Sequence, residues 1–334
     1  MDSADVLALI DDLPGHRVAV IGDAIADEFV YGRVARVSRE APVLILEYDS
    51  TEVVAGGAGN AANNVAAIGG AALLAAVIGR DEPARRLLKS LHRRVNPRTV
   101  VRTTRRGTTI KTRILAGGIH SAKQQVVRVD RVANGSLDKA TRAAFFRAAL
   151  SAAMRSDAVL ISDYGGGLVS PAIVSRLRRE LKTSGHVVPI LVDSRYRLLS
   201  YSGLTACTPN ESEVEQALGI RINDDARVLE RAGRHILEQT KMQAVLITRG
   251  SRGMALFVPG EPTVHIPIFG SDEIADVTGA GDTVMATMAL ALASGATFEL
   301  AARLANYAGG LVVMKRGTAT VSAAELRDAV KRDG

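Results

Sequence analysis

Gly279 and Gly281 lie between Asp276 and Asp282, directly before a long apolar segment, in the stretch DEIADVTGAGDTVMATMALALASG (272–295). Glycine has the poorest helix propensity after proline, so Gly279 and Gly281 weaken the start of the helix that this segment predicts. A glycine-rich first turn exposes N–H groups at the positive end of the helix dipole, an arrangement that binds phosphate. We therefore predict that Gly279, Ala280 and Gly281 hold a phosphoryl group and that Asp282 takes a proton from a hydroxyl. An acidic N-cap is the alternative.

A second glycine-rich motif, GGAGNAANN, runs from Gly56 to Asn64. It contains G-x-G-x-x-A, and Asp81 follows about 20 residues later, which favours a dinucleotide-binding site. A second interpretation is a sugar site, where Gly56 and Gly57 line the approach and Asn60 and Asn64, on one helix face, bind hydroxyls. A glycine-rich turn with helix caps is a third interpretation. The spacing alone does not separate the three.

Three further polar groups follow predicted strands. Asp23 ends the first strand and either binds the paired hydroxyls of a polyol or caps a loop. Asn210 and Glu213 lie three positions apart at the start of a predicted helix, which suits water-mediated Mg²⁺ binding and equally a capping motif. A glycine-containing turn admits a nucleotide or simply closes a hairpin; it reads Thr248-Arg249-Gly250-Ser251-Arg252-Gly253.

Apolar strands alternate with helical patterns along most of the chain. This alternation predicts a doubly wound, mostly parallel α/β sheet flanked by helices, with right-handed crossovers. Ligands bind such sheets beyond the carboxyl ends of the strands, where the polar residues above fall. The predicted strands are 17–23, 71–79, 157–167, 187–195 and 244–253, and the clearest predicted helices are 59–70 and 171–185.

Two segments interrupt this alternation. Residues 41–54 and 108–130 lack intervening helices, and the second segment contains a predicted hairpin turn, AGGIHSAK. We predict one domain over 1–330 with a discontinuous β lid from about 27–56 and 98–130. Lys111 and Arg113 lie two residues apart on one face of a lid strand, where they bind an acceptor phosphate or form a solvated face.

The composition limits the other classes of function. The chain has 334 residues, a net charge of +7 and a single cysteine, Cys207, which excludes an internal disulfide and suits the cytoplasm. Its amino terminus carries acids where a signal peptide needs bases, and no apolar run is long enough to span a membrane. We therefore expect no membrane partner. Aromatic residues do not interleave the basic clusters, so we expect no nucleic-acid partner either.

Taken together and in order, these motifs resemble the ribokinase-like (PfkB) carbohydrate kinases, over about residues 15 to 322. The resemblance rests on Asp276-x-x-Gly-Ala-Gly-Asp282, Gly56-Gly57-x-x-Asn60, Asn210-x-x-Glu213 and Thr248-x-Gly250-x-x-Gly253. It implies the ribokinase-like fold and phosphorylation of a sugar hydroxyl by ATP and Mg²⁺, with Asp282 as the base.

The same resemblance implies further features of the site. Nucleotide contacts are expected near Thr248, Gly250, Gly253 and Asn306, and the lid is expected to close over the sugar and to form a homodimer. Some members of the family hold a monovalent cation such as K⁺ beside the anion hole. In this sequence that cation would lie near Asp276, Thr278 and Gly317.

Within the family, several segments are similar to the kinases that phosphorylate the anomeric hydroxyl of D-glycero-D-manno-heptose 7-phosphate in the ADP-heptose pathway. This implies that Asp23, Gly57, Asn60, Lys111 and Arg113 contact the acceptor. Those kinases typically have the motifs Ser-Asp-Tyr-Ala-Lys-Gly and Asp-Pro-Lys. In this chain Gly166 takes the place of the lysine in the first motif, and Arg195 takes the place of the lysine in the second. Ribose, a fructose phosphate or another sugar therefore stay as alternative acceptors, and a dinucleotide-dependent oxidoreductase is the alternative class. No nucleotidyltransferase domain is expected after residue 330. The similar segments are 37–47, 56–70, 108–114, 124–130, 162–168 and 317–321.

Overall fold

The structure of the chain is a computed structural model. It describes residues 3–117, 123–133, 137–270, 276–315 and 317–333. The helices within these ranges are α1 Ser3–Asp12, α2 Ala58–Ile68, α3 Glu82–Lys89, α4 Lys139–Ala153, α5 Pro171–Thr183, α6 Glu211–Leu218, α7 Ala226–Thr240, α8 Ala280–Ala293, α9 Phe298–Val313 and α10 Ala323–Asp333.

The strands fall into a large sheet, a small four-stranded sheet and a two-stranded ribbon. Their bounds are β1 Arg17–Gly22, β2 Ala24–Val37, β3 Leu44–Gly57, β4 Ala71–Ala75, β5 Val77–Gly79, β6 Val95–Asn96, β7 Val101–Thr103, β8 Thr109–Gly117, β9 Gln124–Arg131, β10 Ala158–Asp163, β11 Ile190–Ser194, β12 Ala206–Cys207, β13 Ala244–Thr248, β14 Met254–Phe257 and β15 Val264–Ile266.

The large sheet has nine strands in the order β15-β14-β13-β12-β11-β10-β1-β4-β6. In this order, every neighbouring pair of strands from β13 through β6 is parallel. Strands β14 and β15 form an antiparallel edge beside β13. Successive side chains of β1 enter different cores: Val18 and Val20 pack with α2, α8 and α9, whereas Ala19 and Ile21 pack with α4, α5 and α7. Helices therefore cover both faces, which explains the continuous apolar strands and confirms the predicted doubly wound α/β class.

The small sheet has the order β3-β2-β8-β9, and we call it the lid sheet. The chain passes from β1 to β2 across one residue, and β3 returns directly into α2, so the paired ends Ala24 and Gly57 lie at the edge of the large sheet. Strand β8 pairs in parallel with β2, and β9 follows antiparallel to β8. The lid sheet thus lies beside the carboxyl ends of the central strands.

The predicted boundaries differ from the structure at two places. The second lid segment begins at Thr109 instead of 98, because β7 pairs with β5 and not with the lid sheet. The predicted strand 71–79 divides into β4 and β5. The predicted hairpin turn lies largely in 118–122, outside the described residues. In the part of the chain that is described, every helix is too short or too polar to cross a membrane.

Candidate active site

A cavity of about 520 Å³ lies between the lid sheet and the carboxyl edge of the large sheet. Strands β10, β11 and β12 end at it, and helix α8 begins there. The cavity brings together residues from each glycine-rich motif, from the Asn210–Glu213 pair and from the lid strand of Lys111, whereas Asp23 does not line it. Those that line it are Gly57, Lys111, Arg113, Asn210, Glu213, Thr248, Gly250, Gly253, Gly279, Ala280, Gly281, Asp282 and Asn306.

The two glycines at the start of α8 serve different needs. Gly279 is the N-cap with φ 81°, and a Cβ there would lie 2.6 Å from Nδ2 of Asn60. A Cβ at Gly281 would meet nothing within 4 Å, so it would project into open space in the cavity. The N–H of Ala280 donates to the carbonyl of Val277 at 3.3 Å. The N–H groups of Gly281 and Asp282 have no acceptor among the described residues, which leaves them free for an anion.

Asp282 lies in the first turn of α8 and is 4% exposed. Its Oδ2 accepts a hydrogen bond from Nδ2 of Asn60 at 2.8 Å, and its Oδ1 accepts one from the hydroxyl of Tyr164 at 3.0 Å. Burial raises the pKa of Asp282 to about 6, because desolvation outweighs the two hydrogen bonds that favour the carboxylate. A carboxyl group with this pKa is ionised at neutral pH and binds a proton more readily than an exposed one.

Behind Asp282, helix α2 supplies a buried amide network. Nδ2 of Asn64 donates to the backbone carbonyl and Oδ1 of Asn60, at 3.0 and 3.1 Å. Oδ1 of Asn64 accepts from the hydroxyl of Thr283 at 2.9 Å. Asn64 is fully buried, so it holds Asn60 in place and does not face the cavity. The predicted contact of Asn64 with a sugar is therefore replaced by a supporting role.

Asp23 holds a loop next to the cavity. Its Oδ2 accepts from the backbone N–H groups of Tyr164 and Gly166, both at 3.0 Å. Burial raises the pKa of Asp23, and the two N–H donors oppose that shift. A Cβ at Gly166 would lie 2.6 Å from Oδ1 of Asp23, so the absence of a side chain at 166 fits this contact. Asp23 lies outside the cavity lining, as the loop-capping interpretation predicts.

The lid sheet contributes a buried ion pair that the sequence did not reveal. Nη1 of Arg113 donates to Oδ1 of Asp27 at 2.6 Å, and both side chains line the cavity. Gly56 lies against the other oxygen of Asp27, where a Cβ would be 2.2 Å away, and does not line the cavity. Because Asp27 neutralises Arg113, Arg113 is less available to a phosphate than its position in the sequence predicts.

Lys111 and Arg195 line the same cavity from separate elements, one on β8 and one directly after β11. The ammonium of Lys111 lies 4.8 Å from the ring centroid of Tyr164. Burial lowers the pKa of Lys111; Asp27 opposes this shift and Arg195 adds to it. Within the described ranges neither cation pairs with a carboxylate, whereas Arg128 pairs with Asp130 at 3.0 Å.

Strand β13 with the turn that follows it, and helix α9, also line the cavity. Gly250 and Gly253 have φ 57° and 75°, and a Cβ at Gly253 would lie 2.1 Å from the carbonyl oxygen of Ile266. Asn306 is held by a bond from its Nδ2 to the carbonyl of Pro267 at 2.8 Å. Of the predicted nucleotide residues, Arg249 does not line the cavity, because its guanidinium pairs with Glu211 at 2.7 Å.

Asn210 and Glu213 form the capping box of α6. Oδ1 of Asn210 accepts from the N–H of Glu213 at 2.9 Å, and Oε2 of Glu213 accepts from the N–H of Asn210 at 3.0 Å. The second oxygen of Glu213 has no partner among the described residues. Burial raises the pKa of the neighbouring Asp193 well above its ordinary value, and Asp282 and Glu213 raise it further. A bound cation such as Mg²⁺ would favour ionisation of these carboxyl groups, but among the described residues no group of three or more His, Cys, Asp or Glu side chains could hold a metal ion by itself.

A family model described as pfkB family carbohydrate kinase matches residues 16–325. The chain belongs to this family. It is 43% identical over 316 residues to the bifunctional protein HldE of Caulobacter vibrioides, a match that covers 93% of this chain and 63% of that protein. The chain therefore spans less than two thirds of the length of that relative.

Solved structures share the ribokinase-like fold. Ribokinase from Arabidopsis thaliana, complexed with ribose and ATP, superposes with a TM-score of 0.73 at 19% identity and covers 95% of this chain and 99% of its own. Phosphofructokinase-2 from Escherichia coli, in complex with potassium, has a TM-score of 0.73 at 17% identity and covers 95% and 98%. These likenesses establish the fold.

Membership of the pfkB family rules out the dinucleotide interpretation of the GGAGN motif, and the geometry shows why the motif misled. The strand before it, β3, belongs to the lid sheet and not to the parallel sheet that a dinucleotide-binding unit needs. Asp81, the expected ribose ligand, caps α3 through Ala84 and accepts from Thr108 at 2.7 Å.

Sequence reasoning assigned no role to Tyr164 or Asp193 at the ends of β10 and β11, or to Asp27 in the lid sheet. All three line the cavity. A signal was present for the first two, because both lie at the carboxyl ends of apolar strands that were predicted to meet at one edge of the sheet. Asp27 gave no signal, since only the pairing of β2 with β8 brings it beside Lys111.

Proposed function

We propose that this chain is an ATP-dependent kinase that transfers the γ-phosphoryl group to a hydroxyl of a phosphorylated sugar, with Asp282 as the general base. One observation carries the proposal. A buried carboxylate, Asp282, lies at a helix start that opens into a large cavity, and the N–H groups of Gly281 and Asp282 there have no acceptor within the described ranges.

The chemistry follows from this placement. The carboxylate of Asp282 accepts the proton of the acceptor hydroxyl, while the hydroxyl oxygen attacks the γ-phosphorus. The bond from the γ-phosphorus to the bridging oxygen breaks, and ADP leaves with the electron pair. The free N–H groups of Gly281 and Asp282, at the positive end of the α8 dipole, stabilise the charge on the phosphoryl oxygens.

The cofactor residues support the same assignment. Thr248, Gly250, Gly253 and Asn306 would contact ATP, and Asn210 and Glu213 would hold Mg²⁺ directly or through water. When bound, Mg²⁺ neutralises negative charge on the ATP phosphates. A monovalent cation at the loop of Asp276, Thr278 and Gly317 stays a prediction. There, both oxygens of Asp276 already accept backbone N–H bonds, from Thr278 at 2.9 Å and Gly317 at 3.0 Å.

Lys111 and Arg195 favour an acceptor that carries its own phosphate. Neither cation forms a salt bridge among the residues that the structure describes, and Arg195 lowers the pKa of Lys111, so an anion between the two would be stabilised by both. The sequence resemblance and the likeness to HldE support D-glycero-D-manno-heptose 7-phosphate, phosphorylated at the anomeric hydroxyl. A hexose phosphate such as a fructose phosphate satisfies the same two cations, whereas ribose leaves them unpaired.

We also propose that the chain forms a homodimer through the lid sheet. Large apolar side chains are exposed on this sheet and at its ends, although exposed apolar surface is costly in water. They are Val34, Val37, Val43, Leu44, Tyr48, Val126, Val127, Val129 and Val132.

The test of the function is ADP release by the purified chain with MgATP and a panel of sugars and sugar phosphates. We expect turnover with a heptose or hexose phosphate and little with the matched unphosphorylated sugar. A preference for the plain sugar would remove the phosphorylated acceptor from the proposal. No turnover with any member of a broad panel would contradict the kinase assignment.

A further inference from the structure

Tyr164 contacts three groups of the cavity at once. It follows β10 where that strand ends, and its backbone N–H donates to Oδ2 of Asp23 at 3.0 Å. Its hydroxyl donates to Oδ1 of Asp282 at 3.0 Å. Its ring lies beneath the ammonium of Lys111, 4.8 Å from the centroid. The residue therefore touches the large sheet, helix α8 and the lid sheet.

The phenol of Tyr164 is a permanent donor in this position. Burial raises its pKa well above the ordinary value of tyrosine, and the charge of Asp282 raises it further. The phenol thus stays protonated in the folded enzyme and donates its hydrogen bond to the carboxylate of Asp282. A carboxylate oxygen accepts more than one hydrogen bond, so Oδ1 retains a lone pair for the acceptor hydroxyl.

The carboxylate of Asp282 is fixed at both oxygens, by Asn60 at Oδ2 and by Tyr164 at Oδ1. With only the bond from Asn60, the carboxylate is less constrained. A base that departs from the productive geometry lowers the rate of the reaction steeply. We propose that Tyr164 is a positioning residue, which orients Asp282 through Oδ1 and keeps it ionised while its ring supports Lys111. This inference rests on the proposed role of Asp282 as the base.

The charged groups around Asp282 define what the loss of the phenol would do. Asp27 on β2 opposes ionisation of Asp282, and Lys111 on β8 favours it. Asp193 on β11 is a second carboxyl that interacts with Asp282. Burial is the largest influence on the pKa of Asp282 and raises it, whereas the hydrogen bond from Tyr164 lowers it. Removing that donor therefore leaves the effect of burial less opposed. The pKa of Asp282 then rises above about 6.

Two substitutions separate the hydroxyl from the ring. Tyr164→Phe keeps the ring beneath Lys111 and removes only the donor to Asp282. Tyr164→Leu removes both, so it should additionally weaken the hold on Lys111 and raise KM for a phosphorylated acceptor. Tyr307→Phe is the matched control, since its hydroxyl bonds Asp333 on α10 and lies outside the cavity lining.

The experiment is the pH profile of kcat and kcat/KM for wild type and the three variants, with thermal melts to verify folding. We expect Tyr164→Phe to move the acid limb upward by roughly one pH unit, since a hydrogen bond to a charged group has about that effect. Its kcat should therefore fall more at pH 6 than at pH 8.5, with KM for ATP unchanged. Tyr307→Phe should match wild type.

A Tyr164→Phe profile with an unmoved acid limb would overturn the inference, whether kcat is unchanged or is lowered equally at every pH. Asp282→Asn distinguishes this failure from failure of the proposed function. If Asp282→Asn loses turnover while the Tyr164→Phe limb stays in place, only the role of Tyr164 is wrong. If Asp282→Asn keeps full turnover, the assignment of the base itself is wrong.

Discussion

At the scale of single residues, the position of Asp282 sets its chemistry. Desolvation penalises the charged form, and the donors Asn60 and Tyr164 recover part of that penalty. Asp282 is thereby both a better proton acceptor than an exposed aspartate and still ionised at neutral pH. The two glycines before it differ in purpose, since only Gly281 faces open space.

Activity should follow the protonation state of this carboxyl. The group must be ionised to accept a proton, and its pKa is raised from 3.8 to about 6. Turnover should therefore fall as the pH drops through about 6 and level off above about 7, measured as kcat/KM from pH 5 to 9. A profile that stays flat down to pH 5 would show that no group with this pKa is needed.

Gly281→Val should lose turnover and keep a melting temperature near that of wild type, because the side chain would occupy cavity space and disturb no packed neighbour. The φ of Gly281 is not in the left-handed region, so backbone strain is not the cause. Gly279→Ala is the contrast. Gly279 has φ 81°, and the Cβ of an alanine there would lie 2.6 Å from Asn60. This variant should therefore lose both stability and turnover. Thermal melts with activity assays check both, and a destabilised Gly281→Val would assign this glycine to packing.

At the scale of elements, the site depends on helices and strands that are far apart in the chain. Asn60 of α2 meets Asp282 of α8 across 222 positions, a contact that no local pattern encodes. The sequence predicted the parallel sheet, the lid strands and the glycine-rich start of α8, because each has a local signature in polarity or glycine content. It misplaced the start of the second lid segment and assigned Asn64 to a ligand, because strand pairing and burial depend on distant residues.

The lid sheet is also where the predicted dimer is tested. Val127→Asp combined with Val129→Asp places charge on β9, where both valines are about half exposed, at 49% and 47%. We expect these changes to convert a dimer into a monomer, measured by light scattering at micromolar concentrations. Val187→Asp is the control, since Val187 is 82% exposed and lies outside the lid sheet. A monomeric wild-type chain, or a double variant that stays dimeric, would contradict dimerisation through this sheet.

At the scale of the whole molecule, the cavity exists because the lid sheet grows from the carboxyl edge of the large sheet. Strand β8 brings Lys111, and the segment after β11 brings Arg195, so the two cations face one space from separate parts of the fold. The residues that we propose for the nucleotide and for the acceptor line one cavity, together with Asp282. This arrangement suits direct transfer between two bound substrates.

Lys111→Ala and Arg195→Ala should each raise KM for a phosphorylated acceptor by roughly tenfold or more, since each removes one charge-assisted contact. KM for ATP should stay near the wild-type value. Arg128→Ala is a matched control, because Arg128 lines the cavity but is paired with Asp130. Unchanged KM values in both variants would show that the acceptor phosphate, if present, binds elsewhere.

The most direct test of the central claim is the turnover of Asp282→Asn at saturating MgATP and acceptor. The substitution keeps the size of the side chain and removes the proton acceptor. We predict that kcat falls by roughly 10²–10⁴, the range for loss of a general base, while the melting temperature and the affinity for ATP stay near wild type. An Asp282→Asn chain that retains wild-type kcat would contradict the claim that Asp282 takes the proton during phosphoryl transfer.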